Sequence, residues 1–126
     1  MKKTEENCIR GCANVNLINE NIKEINKLEN QIERSAQVLN LAGSKTRLKI
    51  LYIISKEDKV CVCDLSDILN ISVSAISQHL RKLKDGNLLQ SQKEGQTIYY
   101  ELHQESKNTL GKIFKAFNYK LIKKAA

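Results

Sequence analysis

The chain has 126 residues, 41% apolar and 28% charged, with no Pro and five Gly. That suits one compact helix-rich domain plus an arm, and no apolar stretch is long enough to span a bilayer. Net charge is +7, unevenly placed: residues 1–71 hold 11 basic and 10 acidic side chains (net +1), whereas residues 72–126 hold 10 and 4 (net +6).

A basic C-terminal half points to a polyanion such as nucleic acid. The polar start Met1-Lys2-Lys3-Thr4-Glu5-Glu6, with no apolar signal region behind it, implies a cytoplasmic protein with no membrane partner. Residues 1–16 read as a flexible polar arm and 17–126 as one folded unit. From Leu17 to Ala42 a helical stripe recurs at Ile18, Ile25, Ile32 and Leu39, joined by Ile22, Leu28 and Ala36. The stripe exceeds what a small core needs, so part of it is expected to pair with a second chain, and a break is expected near Arg34-Ser35.

Gly43-Ser44 ends that segment, and Ser44 caps a helix over 45–56 with Leu48, Leu51, Tyr52 and Ile54 or Ile53 inward. Asp64 to Asn70 reads as a short helix with Leu65, Ile68 and Leu69 on one face. Asn70-Ile71-Ser72-Val73 is a turn, and Ser72 or Ser74 caps a second helix to about Lys84 on an Ile76/Leu80/Leu83 stripe. Asp85-Gly86-Asn87 stops it, with Gly86 suited to a left-handed residue. Leu88 to Gln92 and Thr97 to Leu102 alternate as strands around Lys93-Glu94-Gly95-Gln96, a hairpin with Lys93 at a basic tip. The last segment, about Glu105 to Lys124, is an amphipathic helix carrying Leu110, Ile113, Phe114, Phe117 and Leu121. The fold class is therefore mostly α with a small β-hairpin.

Short helix, tight turn, second helix and hairpin are the parts of a winged helix–turn–helix. The second helix turns Ser74, Ala75, Ser77, Gln78 and Arg81 away from its apolar stripe. Gln bonds adenine edges, Arg forks onto guanine, and Ser bonds phosphate or base. Lys82 and Lys84 add charge, and Lys93 reaches the next phosphates or the minor groove. His79, beside Gln78, suits a phosphate contact or a packing role equally well. No nucleophile–base pair, phosphate loop or acidic catalytic pair is present, so no enzyme activity is expected.

Four cysteines fall in two close pairs, Cys8/Cys12 and Cys61/Cys63. In a reducing cytosol such pairs are metal ligands or redox switches rather than structural disulfides. Four thiols are a full ligand set for a soft tetrahedral ion. Extended backbone holds the Cα atoms of C-x-C roughly 6.6 Å apart with both side chains on one face. A regular helix would turn them about 200° apart, so chelation needs Cys61 and Cys63 at or before a helix start. A metal-ligand set, a redox switch and incidental thiols all remain open on this pattern.

The segment Val60-Cys61-Val62-Cys63-Asp64-Leu65, followed by Ser72-Val73-Ser74-Ala75-Ile76-Ser77-Gln78-His79-Leu80 and Leu83, resembles the ArsR/SmtB repressors over about residues 33–122. The N-terminal cysteine pair is similar to that of the cadmium/lead-responsive CadC-type members. The resemblance implies a homodimeric repressor, held by its first and last helices, that sits on operator DNA and leaves it when metal binds. It also implies a site of Cys8, Cys12, Cys61 and Cys63, shared between the arm of one protomer and the C-x-C of the other. Cd(II) or Pb(II) is then the expected inducer, with Zn(II) or Bi(III) as further candidates. Arsenic-responsive members often carry a third Cys where Ser66 stands here. Zinc-responsive members carry ligands where Gln104, Ser106, Phe117 and Lys120 stand, so a metal site on the C-terminal helices is not expected. The other reading kept open is a thiol-redox regulator on the same scaffold.

Overall fold

The computed structural model describes residues 11–125, with side-chain surroundings through Asn118. Among these residues the elements run α1 (Val15–Lys27), α2 (Glu29–Ala42), α3 (Lys45–Lys56), α4 (Val62–Leu69), α5 (Val73–Asp85), β1 (Leu89–Glu94), β2 (Thr97–Leu102) and α6 (Gln104–Ala125). The chain divides inside α2, between Glu33 and Arg34, into two units.

In the first unit the Asn14 side chain caps α1 by accepting from Leu17 N at 3.0 Å. The expected single helix over 17–42 is interrupted at Leu28 (φ −96°, ψ 5°) rather than at Arg34-Ser35. The Leu28 amide is shared between the carbonyls of Glu24 and Ile25 at 3.0 and 3.1 Å, a bifurcated bond that tightens the last turn of α1. None of the α1 residues is buried, and Val15, Leu17, Ile22 and Ile25 are exposed.

The second unit holds the core. Ser44 Oγ accepts from Arg47 N and starts α3 at Lys45. Ile50, Leu51, Ile53 and Ile54 of α3 are buried, whereas Leu48 and Tyr52 are half-buried, so the inward face centres on Ile50, which the periodicity alone did not select. Helix α4 starts at Val62, two residues before the expected Asp64. The Asp64 carboxylate reaches back to accept from Cys61 N at 3.3 Å and completes the helix start. Leu65 is buried and Leu69 half-buried, but Ile68 is 58% exposed, not inward.

Asn70 (φ 55°) closes α4 in the left-handed region, and Ser66 Oγ donates to Ile71 O at 2.6 Å across the turn. Ser72 then caps α5 by accepting from Ala75 N at 3.1 Å. Ile76, Leu80 and Leu83 are fully buried, each stabilising the fold by about 1.5–3 kcal/mol of apolar transfer.

After α5 the left-handed residue is Asn87 (φ 65°), not Gly86 (φ −87°). Gly86 matters in a different way: a Cβ there would overlap Leu41 Cδ1 of α2, the end of a flexible side chain, so Leu41 would have to shift to admit one. Strands β1 and β2 pair antiparallel from Leu89↔Leu102 to Glu94↔Thr97. Gly95 (φ 64°) and Gln96 form the two-residue turn, with Gly at the first central position as a type II′ hairpin requires. Lys93 therefore lies on β1, opposite Ile98, rather than in the turn itself. Leu88 is buried ahead of β1, and its carbonyl accepts from His103 N at 2.8 Å and Ser106 Oγ at 2.9 Å, tying the hairpin to the start of α6.

On α6, Leu110 and Phe114 are buried, Ile113 is half-buried and Phe117 is exposed. Tyr52, Phe114 and Phe117 form an aromatic cluster with centroids 5.5–5.6 Å apart. The side chain of Leu121, expected on the same face, lies outside the described residues. The architecture is the expected one, mostly helical with one two-stranded wing.

Candidate functional site

The outer face of α5 follows from its inner one. With Ile76, Leu80 and Leu83 committed to the core, a 3.6-residue period turns Ser74, Ser77, Gln78, Arg81 and Lys82 outward, and all five are exposed. Arg81, Lys82, Lys84 and Lys93 make no ion pair among the described residues. Lys84 Nζ donates to Ser91 Oγ at 2.7 Å and joins the last turn of α5 to the wing.

His79 sits half-buried at the edge of this face. Burial holds its pKa below the ordinary histidine value, and the positive charges of Arg47 and Lys82 add to that depression. Arg47 donates through Nε to the Leu41 carbonyl, so its guanidinium is partly spent on holding the α2–α3 corner. Val73, at the first helical position of α5, is 48% exposed and was not singled out from the sequence. By helical spacing it lies on the same side as Leu80, seven residues on, but at the first turn of the helix it is left partly uncovered.

The thiols Cys61 and Cys63 lie at the entry to α4. Cys61 is the N-cap residue, extended at φ −112° and ψ 173°, and half-buried; Cys63 is exposed in the first turn. Val60 just before them bridges to Tyr100 of β2. Cys61 thus stands at the helix start in extended backbone, whereas Cys63 lies inside the first turn of α4, past the start at which the sequence reading asks for both thiols. The nearest carboxylate in sequence, Asp64, accepts from Cys61 N through Oδ2. A cleft of about 470 Å³ flanks the segment, lined by Ile53, Val60, Asp64, Asp67 and the exposed Ile68.

Cys12 is a free, exposed thiol at the start of the described residues, and Cys8 lies outside them. Among the described residues no group of three His, Cys, Asp or Glu side chains is arranged to hold a metal ion. Of the C-terminal-helix positions, Gln104 and Phe117 are exposed, Ser106 is buried and bonded to Leu88 O, and the Lys120 side chain lies outside the described residues. No described helix is long and apolar enough to cross a membrane.

Residues 44–91 match the family described as "Bacterial regulatory protein, arsR family". The chain is 40% identical over 70 residues to a cadmium resistance transcriptional regulatory protein CadC homolog of Staphylococcus aureus, a match covering 56% of this chain and 58% of that one. It is 34% identical over 79 residues to an arsenical resistance operon repressor of Bacillus subtilis, covering 63% of this chain and 75% of the other. Its fold is similar to the transcriptional regulator HlyU of Vibrio vulnificus at TM-score 0.65 and 29% identity, covering 75% of this chain and 97% of that one. Against the cadmium-named relative, then, the chain spans little more than half the length.

Proposed function

The chain belongs to the arsR family of bacterial regulatory proteins, and from that premise we propose that it is a cytoplasmic operator-binding repressor released by a soft heavy-metal ion. The observation that carries this reading is position. Cys61 and Cys63 open α4, the first helix of the same helix–turn–helix whose second helix presents Ser74, Ser77, Gln78 and Arg81. A change at the thiols is therefore a change in the element that seats the reading helix. The similarity to a cadmium resistance regulator supports a metal inducer, and the thiol donors favour Cd(II) or Pb(II), with Zn(II) or Bi(III) as alternatives.

In this reading Gln78 and Arg81 contact base edges, and Ser74, Ser77, His79 and Lys82 contact phosphate or base. Lys93 neutralises a phosphate beside the wing. Cys61, Cys63, Cys12 and Cys8 are the proposed metal donors, the latter two from the arm. Those four thiolates would hold the ion and would supply the all-sulfur ligation that a soft metal favours. The protein acts as a homodimer: the exposed α1 stripe and Phe117 supply apolar surface for a second copy, whose recognition helix then meets the next major-groove face. Release requires that metal bind the DNA-free form more tightly than the DNA-bound form, since equal affinity shifts nothing.

The experiment is operator binding by the full chain, reduced, against a panel of Cd(II), Pb(II), Zn(II), Bi(III) and As(III), with free thiols titrated in parallel. Metal that weakens operator binding as thiols are consumed supports the reading. Release by oxidant alone, with metals inert, replaces it by the thiol-redox reading.

A further inference from the structure

The hairpin has two faces with different attachments. Along β1, Leu89, Ser91 and Lys93 lie on one face, while Gln90, Gln92 and Glu94 lie on the other, with Tyr99 opposite Gln92. The first face is held by the core through Leu89 and Leu102 and by the Lys84–Ser91 hydrogen bond to α5. The second face is held by a residue from elsewhere in the chain. Lys59 Nζ pairs with Glu94 Oε1 at 2.7 Å and stands 5.5 Å from the centre of the Tyr99 ring. Glu94 borders the turn at the wing tip, and Lys59 lies 35 residues earlier.

The backbone reinforces this attachment. Tyr100 N donates to Val60 O at 3.1 Å, so the segment carrying Lys59 and Val60 runs along β2 before entering α4 at Cys61. Glu94 is also the wrong charge for a wing that approaches phosphates. Unpaired, its carboxylate repels the polyanion that Lys93, the preceding residue, attracts. Pairing with Lys59 offsets that charge. From this we infer that Lys59 is a positioning residue for DNA binding: it clamps the wing tip through Glu94 and links wing position to the segment that opens onto Cys61 and Cys63. The inference rests on the DNA-binding function proposed above.

The clamp and a plain surface ion pair predict opposite signs for one variant. Glu94→Gln removes a negative charge, so simple electrostatics makes DNA binding tighter. Loss of the clamp makes it weaker, because binding must then order the tip. An exposed pair of this kind corresponds to about a two- to fivefold change in affinity.

The test uses the full-length protein and an operator duplex selected in vitro by the wild type, with affinity measured by fluorescence anisotropy at several salt concentrations, with and without Cd(II). Glu94→Gln is expected to bind about two- to fivefold more weakly than wild type in the absence of metal. The charge-swapped pair Lys59→Glu/Glu94→Lys is expected to restore wild-type affinity. With Cd(II), Glu94→Gln should show the wild-type ultraviolet sulfur-to-metal absorbance but a smaller fold-change in DNA affinity. Glu94→Gln binding as tightly as wild type or tighter, or a swapped pair no better than Glu94→Gln, overturns the clamp. If the wild type and the swapped pair outbind Glu94→Gln but Cd(II) releases neither, the clamp stands and the metal reading falls. A wild type that selects no duplex overturns both.

Discussion

Helices α1 and α5 are each 13 residues long and strongly amphipathic, yet α5 buries Ile76, Leu80 and Leu83 while α1 buries nothing. Periodicity states that a helix needs an apolar partner; it does not state which chain supplies it. For α5 the partner is the core of its own unit. For α1 the proposed partner is a second copy. Both helices were equally visible in the sequence, but they carry different loads, one shaping the fold and the other the assembly.

Substitution separates these roles most sharply. Leu80→Ala should lower unfolding free energy by about 2–5 kcal/mol through lost burial and a residual cavity, read by chemical denaturation. Ile25→Ser, on the exposed α1 face, should leave the denaturation midpoint of the second unit nearly unchanged but raise the dimer dissociation constant in sedimentation. Equal stability losses in the two variants would erase the distinction between core and assembly stripes.

On the outer face of α5 the expected effects are smaller and fall on DNA affinity rather than folding. Arg81→Ala and Gln78→Ala should each weaken operator binding by about 1–3 kcal/mol, with relaxed discrimination at one base position. Lys93→Ala should weaken binding to every sequence and reduce the slope of log affinity against log salt by about 1. Unchanged affinity in all three variants would mean the reading face lies elsewhere.

The smallest expected effect is a pH dependence at His79. Its pKa is depressed in the folded chain, so the unfolded chain takes up its proton first as pH falls. The contribution to stability is therefore intact above the ordinary histidine value of about 6.5 and is lost as pH falls through the depressed folded value. His79→Gln should flatten the stability–pH curve in that window, measured by thermal unfolding across a buffer series.

What the sequence made legible is local. Ser44 and Ser72 cap their helices as expected because a side-chain oxygen three residues before a free amide is a short-range signal. The exposure of Ser74, Ser77, Gln78 and Arg81 follows from the stripe opposite them. What was not legible depends on contacts distant in sequence or on atypical capping. Gly86 is constrained by Leu41 from α2, and no local pattern distinguishes that from a left-handed cap. Ile68 fits the α4 stripe, yet lies beside a cleft rather than in the core. The early start of α4 escaped notice because Cys61 is an unusual N-cap and the compensating Asp64 bond runs backwards along the chain. For the thiols, spacing identified two pairs; how an arm pair and a helix-start pair combine is a matter of assembly that spacing does not encode.

Operator binding of Cys61→Ser and Cys63→Ser, with Cd(II) or Pb(II) titrated in, decides whether thiols at the entry to α4 govern the reading helix behind them. Both variants should be folded dimers that bind operator DNA as the wild type does without metal, show reduced sulfur-to-metal absorbance, and stay bound at metal concentrations that release the wild type. Release of both variants at the wild-type metal concentration would show that the thiols do not.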